Sequence, residues 1–455
     1  MHPALGEVDW DKAGAEAVEL LRALLRFDTT NPPGNEAECV QFLAQRLREQ
    51  ARVEPEVLTS APGRANLVTR LRGDGSAPPL LLNGHVDVVA AEADRWRHPP
   101  FAGEVHDGAV WGRGAVDMKH MVAMSAVVVE LLARLGVSLR RDLVLAAVAD
   151  EEAGCAAGSA FLVDHHPDKV RAEYALGEVG GATFYLGGRP FYPIQVAEKG
   201  TCWLRATATG ATGHGSIPRD DNAVVRLAEF LARVGRRRLP LHPSPEVRRF
   251  LEALAAVQGR AGRAALPLLL RPRLSGLVLG RAVRDPGVAR TLNAVLRNTA
   301  SPTVVHAGHK TNVIPGRAVA ELDGRIAVGS GEAELLAELR ALAGPDIELE
   351  LVVESHPPTV SPVDTALFAT LAEVVAEHHP GAVAVPSVIP GFTDAKYWSR
   401  LGIACYGFAP VRLGPSDGDF AALFHGDDER VPVAGLHAGL RMLADAVARC
   451  CLPPA

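Results

Sequence analysis

Three stretches of this chain put acid or imidazole straight after a short apolar run or at the mouth of one. That repetition constrains the fold more than any other feature. Leu80-Leu81-Leu82 leads into Asn83-Gly84-His85-Val86-Asp87, and the run from Leu143 to Val148 leads into Asp150-Glu151-Glu152. Between them, Gly112-Arg113-Gly114-Ala115-Val116-Asp117-Met118-Lys119 opens a long apolar stretch. Open α/β sheets collect their ligands beyond the carboxyl ends of buried strands. A histidine and several carboxylates sharing one crevice repel one another unless a cation neutralises them. The pattern therefore predicts that Asp117 lies between two metal ions.

The rest of the chain supports an α/β reading. Apolar residues recur at helical spacing from Ala13 to Phe27, stop at the turn cluster Asp28-Thr29-Thr30-Asn31-Pro32-Pro33-Gly34, and resume from Glu36 to Glu49. A helix is predicted over Val116–Leu135 and a buried strand over Asp142–Ala149. Helices between short apolar strands imply a mixed, mostly parallel sheet flanked by helices. At 455 residues the chain is long for a single core, and its pattern changes near Tyr192. Alternating strands at 194–208, 302–305 and 318–326 read as a sheet wet on one face, and 243–298 as a helix-prone insertion rich in Ala, Leu and Arg. The expected organisation is a catalytic domain formed by 1–195 and 357–455, interrupted by an α+β domain over 196–356.

Composition removes several function classes. A net charge of −6, with basic residues clustered only briefly at Arg236-Arg237-Arg238 and Arg140-Arg141, gives no nucleic-acid footprint. No apolar run approaches the roughly 20 residues that span a bilayer, so no membrane partner is read, and the N-terminus shows no signal-peptide pattern. Six scattered cysteines without a CxxC pair suit reduced thiols in the cytoplasm. A nucleotide-binding oxidoreductase fails for want of a GxGxxG after the first strand.

Each candidate site residue has a plain structural reading beside the functional one. His85 could be a structural histidine, and Asp117 a helix N-cap worth about 1 kcal/mol. Glu151-Glu152 could be a solvent-facing turn, yet adjacent side chains diverge, so one can ligate a metal while the other serves as general base. Glu178, with Gly180-Gly181 behind it, and His425, in Phe424-His425-Gly426-Asp427-Asp428-Glu429-Arg430, complete the set.

Taken together, His85-x-Asp87, Gly-Arg-Gly-Ala-x-Asp117-Met-Lys, Asp-Glu151-Glu152-Ala-Gly, Glu178-x-Gly-Gly and His425 closely resemble the M20 family of metallopeptidases and deacylases. That family includes acetylornithine deacetylase, succinyl-diaminopimelate desuccinylase, aminoacylase and carboxypeptidases. The resemblance implies a site for two divalent metal ions, zinc with cobalt or manganese as alternatives. Asp117 would bridge them, His85 and Glu178 would complete one, and Glu152 and His425 the other. Glu151 would be the general acid/base, Asp87 would orient His85, and Asp117-Met118 would be a cis peptide. The interrupting domain would be a lid, often also a dimer interface. His214, in Gly213-His214-Gly215-Ser216, would steady the oxyanion, while Asn312 and Arg325 would grip substrate. Arg325 suits a substrate carboxylate because guanidinium is bidentate and always charged. Gly391-Phe392-Thr393-Asp394-Ala395 resembles a loop near the substrate.

Two departures stand out. His120-Met121 replaces the two glycines that commonly follow Asp-Met-Lys, and His120 is expected to face the helix exterior. The 243–298 insertion lengthens the lid and leaves both monomer and homodimer open. The activity implied is metal-dependent hydrolysis of the amide bond of an N-acyl amino acid or short peptide with a free carboxylate. The rivals are aminopeptidase specificity on the same site and a non-catalytic, metal-stabilised binding protein.

Overall fold

A computed structural model describes residues 1–453 apart from 187, 257, 282, 284, 285, 416 and 419. It divides into two compact units, Met1–Val196 with Ser361–Pro386 and Thr393–Ala455, and Ala197–Val360 with Ser387–Phe392.

In the first unit, strands run across a mixed sheet in the order Glu56–Ala61, Arg64–Leu71, Leu143–Val148, Leu80–His85, Tyr174–Gly177, Ala404–Gly407 and Arg189–Glu198. The four central strands are parallel, while both edges are antiparallel. Every residue of Leu80–His85 and Leu143–Val148 is buried, as expected when helices cover both faces of a parallel centre. Helices Trp10–Leu25, Lys119–Leu135 and Val433–Cys451 pack on one another.

The central helix begins at Lys119, three residues later than the apolar pattern suggests, and is buried continuously from Lys119 to Leu132. This overturns the expectation that His120 faces outward, because this helix has no outer face there. His120 is 3% exposed, and burial pushes its pKa down to about 4, so the imidazole is a neutral core group. The ammonium of Lys119 ends on the carbonyls of Leu24 and Phe27.

The second unit holds an antiparallel four-stranded sheet, ordered Thr299–Ala307, Arg317–Ile326, Gly200–Thr209 and Ile347–Leu351. Helices Ala223–Arg236 and Glu332–Ala343 cover one face, packing Leu227, Phe230, Leu335 and Leu339 against Cys202, Leu204, Ala206, Ala320 and Leu322. The segment read as an insertion forms helices Pro245–Ala256, Arg260–Ala265, Pro272–Arg281 and Pro286–Val295.

Candidate active site

Parallel pairing brings the first unit's acids together. The register sets His85 opposite Val148 and Leu82 opposite Leu176. His85 therefore closes its strand at the edge where Asp150-Glu151-Glu152 leaves the neighbouring one. Glu178, the first residue past Tyr174–Gly177, emerges at that edge too.

Asp117 arrives on the loop before the central helix. Gly114 sits at φ +92°, and a Cβ there would approach Val88 Cγ1 to 2.8 Å, which explains the glycine. The N-cap is Met118, with no side-chain capping bond, so Asp117 is not spent on the helix. The Asp117–Met118 peptide is cis.

The loop is fixed by a residue that sequence reading missed. The fully buried Glu429 carboxylate accepts hydrogen bonds from Gly114 N at 2.9 Å, Val116 N at 2.6 Å, Asp117 N at 2.9 Å and Arg113 Nη1 at 2.7 Å. Burial pushes its pKa up to about 6 against the pull of Arg113 and these amides. In sequence Glu429 belongs to an Asp-Asp-Glu-Arg run, and nothing local signals its partners. The strand Arg430–Pro432 pairs with Ala109–Trp111, bringing the His425 segment to the same place.

The predicted ligands converge. His85 Nε2 lies 3.1 Å from Asp117 Oδ1 and 3.5 Å from Glu178 Oε2. His425 Nε2 lies 3.2 Å from Asp117 Oδ2 and 3.1 Å from Glu152 Oε2. Each oxygen of Asp117 thus faces its own imidazole, and each imidazole a second carboxylate. Two ligand atoms held tetrahedrally at zinc–ligand distances of about 2.0–2.2 Å are themselves about 3.3–3.6 Å apart, so three of the four pairs are slightly closer than bound ions would hold them. Among the described residues Glu152 Oε1 and Glu178 Oε1 are buried without a hydrogen-bond partner, as carboxylate oxygens awaiting a cation would be. Donor atoms of His85, Glu151 and Glu178 also lie within 4.8 Å of one another, which puts Glu151 beside the ligands.

Asp87 touches both His85 and the glutamate pair. His85 Nδ1 makes its shorter contact, 2.9 Å, to the Asp87 main-chain carbonyl, and the carboxylate is 3.5 Å away. The carboxylate also accepts from Glu151 N and Glu152 N, both at 3.1 Å, and from Asn31 Nδ2 at 2.8 Å. It therefore positions the glutamate pair by its backbone. Asn31 also reaches Asp150, which Arg64 joins to the buried Glu36. Asp150, Val179 and His425 all take positive φ, at 68°, 58° and 57°. Such conformations are uncommon without glycine, particularly for a β-branched valine, and concentrate at functional sites.

The field in the cluster favours cations. Burial opposes charge on His85, but Asp117, Asp87 and Glu178 outweigh it and hold its pKa well above the ordinary value. Hydrogen bonds to Asp117 and Glu152 raise His425 to about 10. Burial raises Glu178 to about 8, and burial with the nearby Glu178 charge raises Glu151 well above the usual carboxylate range. Asp394, from the loop that the resemblance puts near the substrate, is fully buried beside this group and bonded to Ser159.

The other three candidates belong to the second unit. His214 pairs with Val313 in a short antiparallel ladder, and Gly215 N donates to the Asn312 carbonyl at 2.9 Å, so these two lie close together. His214 Nδ1 contacts Ser216 Oγ at 2.8 Å. Arg325 lies on the separate strand Arg317–Ile326. Its Nε and Nη2 donate to Asp323 at 2.8 and 3.2 Å, its guanidinium lies 5.1 Å from the Phe392 ring centre, and its buried Nη1 has no hydrogen-bond partner among the described residues.

The comparisons agree with this architecture. Residues 81–449 match the model of peptidase family M20/M25/M40. The chain is 29% identical over 390 residues to a Dictyostelium discoideum protein described as "Probable carboxypeptidase S-like 2", covering 81% of this chain and 71% of that one. It is 27% identical to the Xenopus tropicalis N-fatty-acyl-amino acid synthase/hydrolase PM20D1, covering 92% and 83%. The fold superposes on the M20 family metallo-carboxypeptidase Sso-CP2 from Sulfolobus solfataricus with a TM-score of 0.72, at 16% identity, covering 95% and 98%. With a family match spanning most of its length and the acid-lined crevice that match contains, this chain belongs to peptidase family M20/M25/M40.

Proposed function

We propose that the protein is a metal-dependent hydrolase that cleaves an amide bond next to a free carboxylate, in an N-acyl amino acid or short peptide. The observation that carries this is Asp117, whose two oxygens lie 3.1 and 3.2 Å from His85 and His425. We assign His85, Asp117 and Glu178 to one divalent cation and His425, Asp117 and Glu152 to the other. Two imidazoles among carboxylates favour zinc over the harder ions, with cobalt and manganese as substitutes. When bound, such ions polarise the scissile carbonyl and bring a water into the titration range of neutral pH.

Glu151 takes the proton from the attacking water and gives it to the leaving amine. Its buried carboxyl, with a raised proton affinity, suits both steps. Asp87 keeps Glu151 and Glu152 in place through their amides. The first unit is the catalytic domain and the second the lid. Within that lid, His214 supplies an oxyanion donor, Asn312 a neighbouring polar contact, and Arg325 the carboxylate grip. Asp323 holds the far edge of Arg325 and leaves Nη1 for the substrate. The names of the relatives, a carboxypeptidase and an N-acyl-amino acid hydrolase, support a substrate carboxylate. A homodimer through the second unit is supported by exposed Ile217, Val225 and Val305, and a cytoplasmic location by six cysteines that form no disulfide among the described residues.

The test is to strip the protein with a chelator, restore zinc, cobalt or manganese, and assay N-acyl amino acids, dipeptides and their C-terminal amides. Hydrolysis should return with metal and fall sharply for the amides. Equal turnover of acids and amides would remove Arg325 from its role, and no turnover with any ion would reject the enzyme reading.

A further inference from the structure

The helical segment of the second unit carries charge of the opposite sign to the whole chain. Residues 243–298 contain ten arginines, no lysine and three acids, a net charge of +7 within a chain of net charge −6. Arg297 is buried and bonded to Leu239 O and Ser275 Oγ. Arg248, Arg249, Arg260, Arg271, Arg273 and Arg281 are exposed, and among the described residues none has a carboxylate at ion-pair distance.

The helix Pro272–Arg281 shows how this charge is arranged. Its buried residues are Ser275, Val278 and Leu279. At about 100° per residue, Arg273, Leu277, Arg281 and Leu274 follow one another around the opposite side. Leu277 is 50% exposed, Leu274 39%, and Leu268 in the preceding turn 38%. A face meant only for water has no need of three leucines, and a core face would not carry unpaired guanidiniums. Apolar side chains interleaved with long cationic ones are what an interfacial helix presents, the leucines entering the headgroup boundary while the arginines reach phosphates. An acidic protein partner would be better served by a groove with segregated apolar and charged zones than by one convex helix face.

We propose that the exposed face of Pro272–Arg281, together with Leu268, docks the protein on an anionic lipid surface. The contact is peripheral, since no helix among the described residues is long and apolar enough to cross a membrane.

The test uses the full-length protein and sedimentation with vesicles, either pure phosphatidylcholine or equal parts phosphatidylcholine and phosphatidylglycerol. At low salt the protein should pellet with the anionic vesicles and stay in solution with the neutral ones. Raising salt should release it, because surface potentials decay within a Debye length. Arg273→Gln with Arg281→Gln should weaken partition about thirtyfold, from about 1 kcal/mol for each basic residue at the surface. Leu274→Glu with Leu277→Glu should abolish it. Unchanged hydrolysis of a water-soluble N-acetyl amino acid shows that each variant is folded. The proposal is overturned if anionic vesicles fail to bind the wild type at low salt, or bind the variants as well. It is also overturned if the leucine variant instead abolishes self-association seen without vesicles, which would make a second copy the occupant.

Discussion

Glu151 and Asp87 carry the sharpest consequences at the scale of single residues. Glu151→Gln keeps the shape of the side chain but cannot carry a proton between water and leaving group. Turnover should fall by about 10²–10⁴-fold with metal content unchanged, as read by steady-state kinetics beside elemental analysis. Near-normal turnover with both ions bound would assign the base elsewhere. Asp87→Ala should act differently, because its carboxylate accepts from Glu151 N, Glu152 N and Asn31 rather than touching substrate. Metal affinity should drop about 10–100-fold, measured by competition with a chromogenic chelator. These residues were legible in sequence because their types and spacing advertise chemistry. His120 was not, since a lone histidine gives no sign of whether its helix has a wet side.

Between residues and whole fold, the loop Gly112–Met118 is the element on which the site turns. Its own sequence supplies glycine where φ is positive, but its position comes from Glu429, more than 300 residues later. Glu429→Gln replaces one acceptor oxygen with an amide that faces N–H donors and strands the Arg113 guanidinium. The cost should be about 3–5 kcal/mol in urea unfolding, the range for breaking a buried pair. Metal affinity should weaken too, because Asp117 N is one of the anchored amides. A midpoint within error of wild type would show that the loop is held by other contacts. No periodicity in the sequence marks Glu429, because its partners are backbone amides that carry no residue type.

For the molecule as a whole, the two ends of the chain close the first unit. Asp445 on the last helix is fully buried and accepts from His2 N at 2.7 Å, His378 Nε2 at 2.8 Å and Arg449 at 3.0–3.1 Å. Burial disfavours its charge, but His378, Arg449 and the His2 amide outweigh that and hold its pKa below the ordinary aspartate value. A depressed pKa means the folded state binds the proton more weakly than the unfolded one. Its stabilisation is therefore present above about pH 4 and lost as pH falls through the folded value. Asp445→Asn should cost about 3 kcal/mol at pH 7, and the difference from wild type should shrink as pH drops below about 4. Parallel thermal melts across that range check the sign, and a gap that widens in acid would refute it.

What the sequence determined by itself is the chemistry available. It supplies the histidines, the carboxylates and the adjacent glutamate pair from which the proposed site is built, and short, fully hydrophobic runs that form buried strands. Periodicity and residue type encode those properties locally, within one or two turns of chain. Tertiary structure alone decided how they combine. The parallel register ends three strands at one edge, His120 is enclosed on every side, Asp87 spends its carboxylate on two amides, and Glu429 fixes a loop from the far end of the chain. Each of these depends on groups tens to hundreds of residues apart meeting at bonding distance, and a linear pattern of residue types does not record such a meeting.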